Sequence, residues 1–275
     1  MAWIDIPNTE IVSAVAGNSA ALENIMRATQ QPVYNLALRF LWHPQDAQDN
    51  TQEILIKVMT NLSVFRSESA YGTWVYRIAV NHLLRAKKSR AERREVSFRD
   101  AARTLSVQEE SPAETDVASV VNDVKIACSH AMLIALKRKY RMAFVLGAVM
   151  QLTGDEAAKI LELSPAAYRQ RLSRARTAMA EFLGRNCGLV NTSAPCHCEK
   201  RIAPCLRSGA IEPYRALAEK LRDSKDFART QAELGGEISH LEKVTLLYRS
   251  NGSYAIPDAL DRRIRSLIDG RLFAS

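Results

Sequence analysis

The sequence predicts an all-α protein, and three observations carry that expectation. Glycine and proline number only 11 and 9 in 275 residues, and they fall mainly between stretches whose apolar residues recur every three or four positions. No alternating apolar–polar run of useful length marks a strand. Residues 153–183, TGDEAAKILELSPAAYRQRLSRARTAMAEFL, then carry helix-start chemistry twice. Thr153 with Glu156 three residues later is a capping box, and Ser164 before Pro165 is an N-cap followed by the residue best suited to a first helical turn.

In chain order, residues 4–26 predict one or two short helices through Ile11, Val12, Val15, Leu22, Ile25 and Met26. Pro32 is expected to open a separate segment with Tyr34, Leu36, Leu38, Phe40, Leu41 and Trp42 supplying core. HPQDAQDN at 43–50 suits a turn and a helix start, where acids meet the positive helix end. The helix that follows, 47–62, buries Ile54, Leu55, Val58 and Leu62, and its other face shows Asp46, Asp49, Gln52 and Glu53. Standing alone, those acids read as capping and solubility.

A polar loop then leads into a helix from near Tyr71 to about Arg90. Trp74, Val75, Ile78, Ala79 and Leu83 suit its core side, and Arg77, Asn81, His82 and Arg85 lie on another. Lys87, Lys88, Arg90, Arg93 and Arg94 extend the positive charge. Aromatic rings beside a basic helix suit single-stranded nucleic acid, because bases stack on rings while cations track phosphates. The competing reading places the rings in the core. Trp74 is expected to be at least partly core, with Phe65 and Tyr71 the better exposed rings.

Residues 95–116 are polar, acidic and contain Pro112, so they are expected to form a mobile linker. Helix resumes over 117–140, with Cys128 a buried small hydrophobe. Leu133, Leu136, Phe144, Val145 and Val149 are expected in the next core. The capped pair at 153–183 then reads as a helix-turn-helix, its second helix carrying Arg169, Arg171, Arg174 and Arg176. An ordinary helical hairpin with a solvated basic face is the alternative.

Composition bounds the function. A length of 275 residues suggests two or three domains, and 47% hydrophobic residues suffice for real cores. A net charge of +8 favours an anionic partner. No run approaches the ~18 apolar residues of a membrane span. MAWIDIPNTE has neither a basic n-region nor an apolar h-region, so residence in the cytoplasm, away from membranes, is expected. Five cysteines, an odd and mostly clustered set, do not resemble a secreted disulfide framework.

Two separated blocks resemble the sigma-70 family of bacterial transcription initiation factors, specifically its small extracytoplasmic-function (ECF) group. In residues 34–90, Asp46-Ala-Gln-Asp49-Asn-Thr-Gln52-Glu53 and Thr73-Trp74-Val-Tyr76-Arg77-Ile78-Ala79-Val-Asn81 are similar to the family's region 2. Residues 135–183 are similar to region 4, with Ser173-Arg174-Ala175-Arg176 matching the end of its recognition helix. Departures are Arg85 where the family usually has aspartate, Ala167-Tyr168 in place of a Thr-Val pair, and LKRKYR at 136–141 in place of leucine-proline.

The resemblance implies roles. Asp46, Asp49, Gln52 and Glu53 would bind core RNA polymerase, whose β′ and β subunits are the implied partners. Phe65, Tyr71, Trp74, Arg77, Asn81 and Arg85 would recognise the −10 promoter element and help open it, so both double- and single-stranded promoter DNA are partners. Ser164, Tyr168, Arg169, Arg171 and Arg174 would read the −35 element in the major groove. An anti-sigma factor is a further candidate partner. The implied domains are region 2 at 1–94, the linker at 95–116, region 4 at 117–186 and a helical extension at 187–275.

The extension carries Cys187, Cys196, His197, Cys198 and Cys205. A metal site, a redox switch and simple packing of a helix turn are all open. Packing is favoured because Cys196-His197-Cys198 is too tight for all three to bind one ion comfortably; no metal or cofactor is expected. Two or three tail helices are expected over 212–270, marked by Tyr214, Leu217, Leu221 and Phe227, then Ile238, Leu241, Val244, Leu247 and Tyr248, then Pro257, Leu260, Ile264 and Leu267. The tail's length and cysteines suggest regulation in cis. A free-standing helix-turn-helix regulator is the alternative function, but it leaves the acidic face and residues 65–94 unemployed. An enzyme acting on nucleic acid is disfavoured: no paired carboxylates, phosphate-binding glycine loop or activated nucleophile stands out.

Overall fold

The computed structural model describes residues 4–94, 97–106, 117–215, 239–249 and 253–272. Its first helices are α1 (Asn8–Val15) and α2 (Ser19–Leu41). They are joined through Gly17, whose φ of +97° suits a residue without a Cβ. The Asn18 side chain then caps α2 by accepting the Ala21 amide.

Helix α2 runs through Pro32, contrary to the expected break. An interior proline removes one helical hydrogen bond and costs about 3 kcal/mol. Tertiary burial outweighs it here, because Val33, Tyr34, Leu36, Leu38 and Phe40 are each 0% exposed. Trp42, at φ 46°, turns the chain out of α2. α3 (Pro44–Thr60) starts where the His43 ring accepts the Asp46 amide, and it packs along α2 through Ala47, Ile54, Leu55 and Val58. α4 (Tyr71–Arg85) completes this bundle through Val75, Ala79, Val80 and Leu83. It stops before the expected end near Arg90, and a short 3₁₀ turn follows at Glu92–Arg94.

Part of the stretch expected as a mobile linker is a helix, α5 (Phe98–Ser106). Phe98 packs on Phe182 with ring centroids 4.7 Å apart, and Ala101 and Leu105 are buried. The acidic remainder, 107–116, lies outside the described residues. Next come α6 (Val117–Ile134) and α7 (Arg138–Phe144), which widens into a π turn over Val145–Val149. α8 (Gly154–Ile160) and α9 (Pro165–Asn186) follow.

Two arginines lock the halves together. Arg141, 2% exposed, donates to the carbonyls of Phe40, Leu133, Ile134 and Leu136 and pairs with Glu92 at 2.8 Å. Arg138 reaches the same carboxylate at 3.1 Å and donates to the Ala86 carbonyl. Charged groups are tolerated inside only when paired and hydrogen-bonded in this way.

The tail folds back over both halves. α10 (Ile202–Arg207) packs on α6, α11 (His240–Arg249) packs on α9, and α12 (Asp258–Leu272) lies across α2 and α3. Tyr214 stacks on Trp42 at 4.1 Å and donates its hydroxyl to the Trp42 carbonyl. Leu217, Leu221, Phe227 and Ile238 lie outside the described residues. Among the described residues there is no strand beyond an isolated bridge between Cys187 and Cys196, and no helix is long and apolar enough to cross a membrane.

Candidate nucleic-acid interface

The helix-turn-helix is built as its local chemistry requires. The Thr153 hydroxyl accepts the Glu156 amide at 3.2 Å while the Glu156 carboxylate accepts the Thr153 amide at 2.8 Å. Glu162, at φ 55°, makes the turn, and the Ser164 hydroxyl accepts the Ala167 amide. The start of α9 therefore presents Ser164, Arg169 and Arg174 to solvent, with Arg171 half-exposed beside them. Arginine forks at such a position can take a guanine edge or two phosphates.

Tyr168 is not among these surface groups. It is 1% exposed, and its hydroxyl points at the Ala143 carbonyl. Gly147 makes room for it: a Cβ there would lie 2.2 Å from the Tyr168 hydroxyl. Burial pushes the phenol up to about 12. Its role is to seat the recognition helix, so its expected place on the DNA-reading face is corrected.

In the first bundle Phe65, Tyr71 and Trp74 interlock, with centroids 5.2–5.8 Å apart. Tyr71 is the buried member, 4% exposed and within 3.3 Å of the Thr29 hydroxyl, which corrects its expected exposure. The first turn of α4 faces α2, so this ring supports the other two. Phe65 and Trp74 keep half-exposed edges. Arg77, Asn81 and Arg85 follow along α4. Arg77 also lies 3.8 Å from Glu162 and 3.5 Å from the Lys159 carbonyl, so α4 and the helix-turn-helix touch through it.

The acidic face of α3 divides. Asp46 is used inside the chain: it accepts the Arg90 amide at 2.7 Å and pairs with that guanidinium at 3.3 Å. This carboxylate fixes the turn after α4. Asp49 and Gln52 are half-exposed and Glu53 is exposed. His82 sits beneath them, its Nδ1 2.7 Å from the Lys57 ammonium and its Nε2 2.9 Å from the Asn50 amide oxygen. Burial, reinforced by Lys57, lowers the His82 pKa. Glu53, 3.7 Å from the ring, faces solvent.

Cys187, Cys196, Cys198 and Cys205 lie close enough to Cys128 to act on its thiol electrostatically. Among the described residues no group of three or more His, Cys, Asp or Glu is placed to hold a metal ion, and the five cysteines are free. Burial pushes the Cys196 thiol up to about 11 and the Cys198 thiol up to about 12. These groups stay protonated, unlike reactive or ligating thiolates. They pack in or against the core.

A capped helix-turn-helix with an arginine-bearing second helix, joined to a bundle that sets half-exposed rings beside arginines, defines a DNA-binding protein. The family model for Sigma-70 region 2 matches residues 25–93, and that for Sigma-70, region 4 matches residues 127–179. The chain belongs to the sigma-70 family of transcription initiation factors, in its ECF group. It is 29% identical over 171 residues to the RNA polymerase sigma-H factor of Pseudomonas aeruginosa, covering 61% of this chain and 88% of that one. It is 26% identical to the ECF RNA polymerase sigma factor SigW of Bacillus subtilis, over 61% of this chain and 91% of the relative. The ECF RNA polymerase sigma-E factor of Escherichia coli is 28% identical, over 59% and 86%.

Sequence reasoning missed the Arg138–Glu92–Arg141 lock, and it suggested action of the tail in cis without the place where α12 docks. A signal for the first existed: Arg138 and Arg141 are three apart on a helix whose neighbours are core residues, so both face inward.

Proposed function

We propose that this ECF sigma factor binds core RNA polymerase through Asp49, Gln52 and Glu53 of α3, and reads promoter DNA with α4 and α9. The carrying observation is that regions 2 and 4 occur on one chain, each with its own outward polar face. On this reading the acidic α3 face docks on a basic coiled coil of the β′ subunit, with the β subunit contacted elsewhere. Phe65 and Trp74 hold unstacked bases of the −10 element while Arg77, Asn81 and Arg85 follow its backbone. Ser164, Arg169, Arg171 and Arg174 engage the −35 duplex. The protein acts without chemistry of its own, in the cytoplasm, and an anti-sigma factor would act on these same faces. The organisation 1–94, 95–116, 117–186 and 187–275 fits this division of labour, with α5 as a structured part of the connection.

Equilibrium binding to purified core polymerase tests it. Glu53→Arg should weaken binding at least about tenfold, as for a like charge introduced at a charge-complementary interface. Unchanged binding by Glu53→Arg and Gln52→Ala together would refute the α3 assignment.

A further inference from the structure

Helix α12 rests on the very helix assigned to polymerase binding. Arg263 lies 3.6 Å from Asp49 and donates to the Gln48 side chain at 3.2 Å. From α2, Gln30 donates to Asp261 at 3.0 Å. Leu260, Ile264 and Ile268 are buried, at 0%, 3% and 5% exposure, on a helix whose helical neighbours are α2 and α3. The approach to α12 is also fixed. The Tyr254 amide donates to the Asn35 side chain at 2.8 Å, and the Asn35 amide donates back to the Tyr254 carbonyl at 2.7 Å. The Tyr254 hydroxyl meets buried His130 at 3.1 Å.

We infer that α12 is an internal stand-in for the polymerase: it offers α3 a guanidinium where the partner would offer its own cations, and the two compete for Asp49. This rests on the α3 assignment above. The anchor at Tyr254 sets where α12 starts, the three aliphatic side chains hold it down, and Arg263 supplies the charge that a basic partner must displace. A half-exposed ion pair is weak. The cover is therefore removable, and a partner binding the uncovered state sees an affinity reduced by the fraction of chains that are covered. Region 2 of this chain is thus held below its full affinity by its own C-terminal helix.

The test uses the full chain. Arg263→Asp places a carboxylate beside Asp49 and should lift α12, tightening binding to core polymerase about threefold to tenfold, the factor set by the covered fraction. Leu260→Asp should do the same by removing the apolar anchor. Amide exchange over 258–272, slow in the free chain, should accelerate when core polymerase binds. If Arg263→Asp binds no more tightly than the wild type, or if 258–272 stays equally protected in the complex, the inference is overturned. Because Arg263 is 39% exposed, its variant keeps the fold even if Leu260→Asp does not. Glu53→Arg separates the two claims. Weakening there with no gain for Arg263→Asp removes only the cover, whereas full binding by Glu53→Arg removes the α3 assignment and the cover with it.

Discussion

His130 is 1% exposed, stacked 3.8 Å from Trp42, with its Nδ1 3.0 Å from the Ile126 carbonyl and its Nε2 3.1 Å from the Tyr254 hydroxyl. A carbonyl only accepts, so Nδ1 carries the proton and Nε2 takes the tyrosine's. Desolvation, with Arg39 adding repulsion, drives its pKa down to about 3. The unfolded chain binds this proton near pH 6.5 and the folded chain only near 3. Between those values the unfolded state holds more protons, so stability falls as pH falls, at up to about 1.4 kcal/mol per pH unit from this group. Urea unfolding at pH 7 and pH 5 should show the loss, and His130→Gln should shrink it. Arg141→Met should cost about 3–5 kcal/mol, because it strips a partner from buried Glu92 and leaves several carbonyls unpaired; thermal and urea unfolding report it. His130 does not announce its depth in the sequence. Tyr71, Tyr168 and Trp74 all sit at helical spacing, and which ring is covered depends on Thr29 and Gly147, which lie on other helices.

At the scale of elements, local chemistry was legible and tertiary decisions were not. The Thr153 box and the Ser164–Pro165 start are written within a few residues, so α8 and α9 begin where the sequence predicts. Thr153→Ala should lower stability by about 1 kcal/mol, measured by urea unfolding. The continuity of α2 through Pro32 was not legible, because a dense core far along the chain outweighs the lost hydrogen bond. α5 hid behind its acidic neighbour: Phe98, Ala101 and Leu105 share one face, yet the surrounding composition reads as linker. On α9, Arg169→Ala and Arg174→Ala should each weaken binding to a −35 duplex. An arginine held by a phosphate should reduce the log–log salt slope by about 1, and one on a guanine edge should cost about 1–3 kcal/mol at a single base position. Equal binding by both variants across a salt titration would remove this face from DNA recognition.

Across the whole molecule, the two family regions are not loose beads. Arg138 and Arg141 share Glu92, Arg77 meets the turn of the helix-turn-helix, and the tail ties α9 at one end and α3 at the other. The tail's suggested action in cis acquires a concrete contact in α12. The central claim is tested most directly by reconstituted transcription: the full chain, bacterial core RNA polymerase and a pool of promoter sequences, with transcripts sequenced at their 5′ ends. The account predicts new start sites sharing a −35 and a −10 element, with more transcript from Arg263→Asp and less from Glu53→Arg. No new starts from the wild type or from Arg263→Asp, in a protein that still binds duplex DNA and does not bind core polymerase, would contradict it.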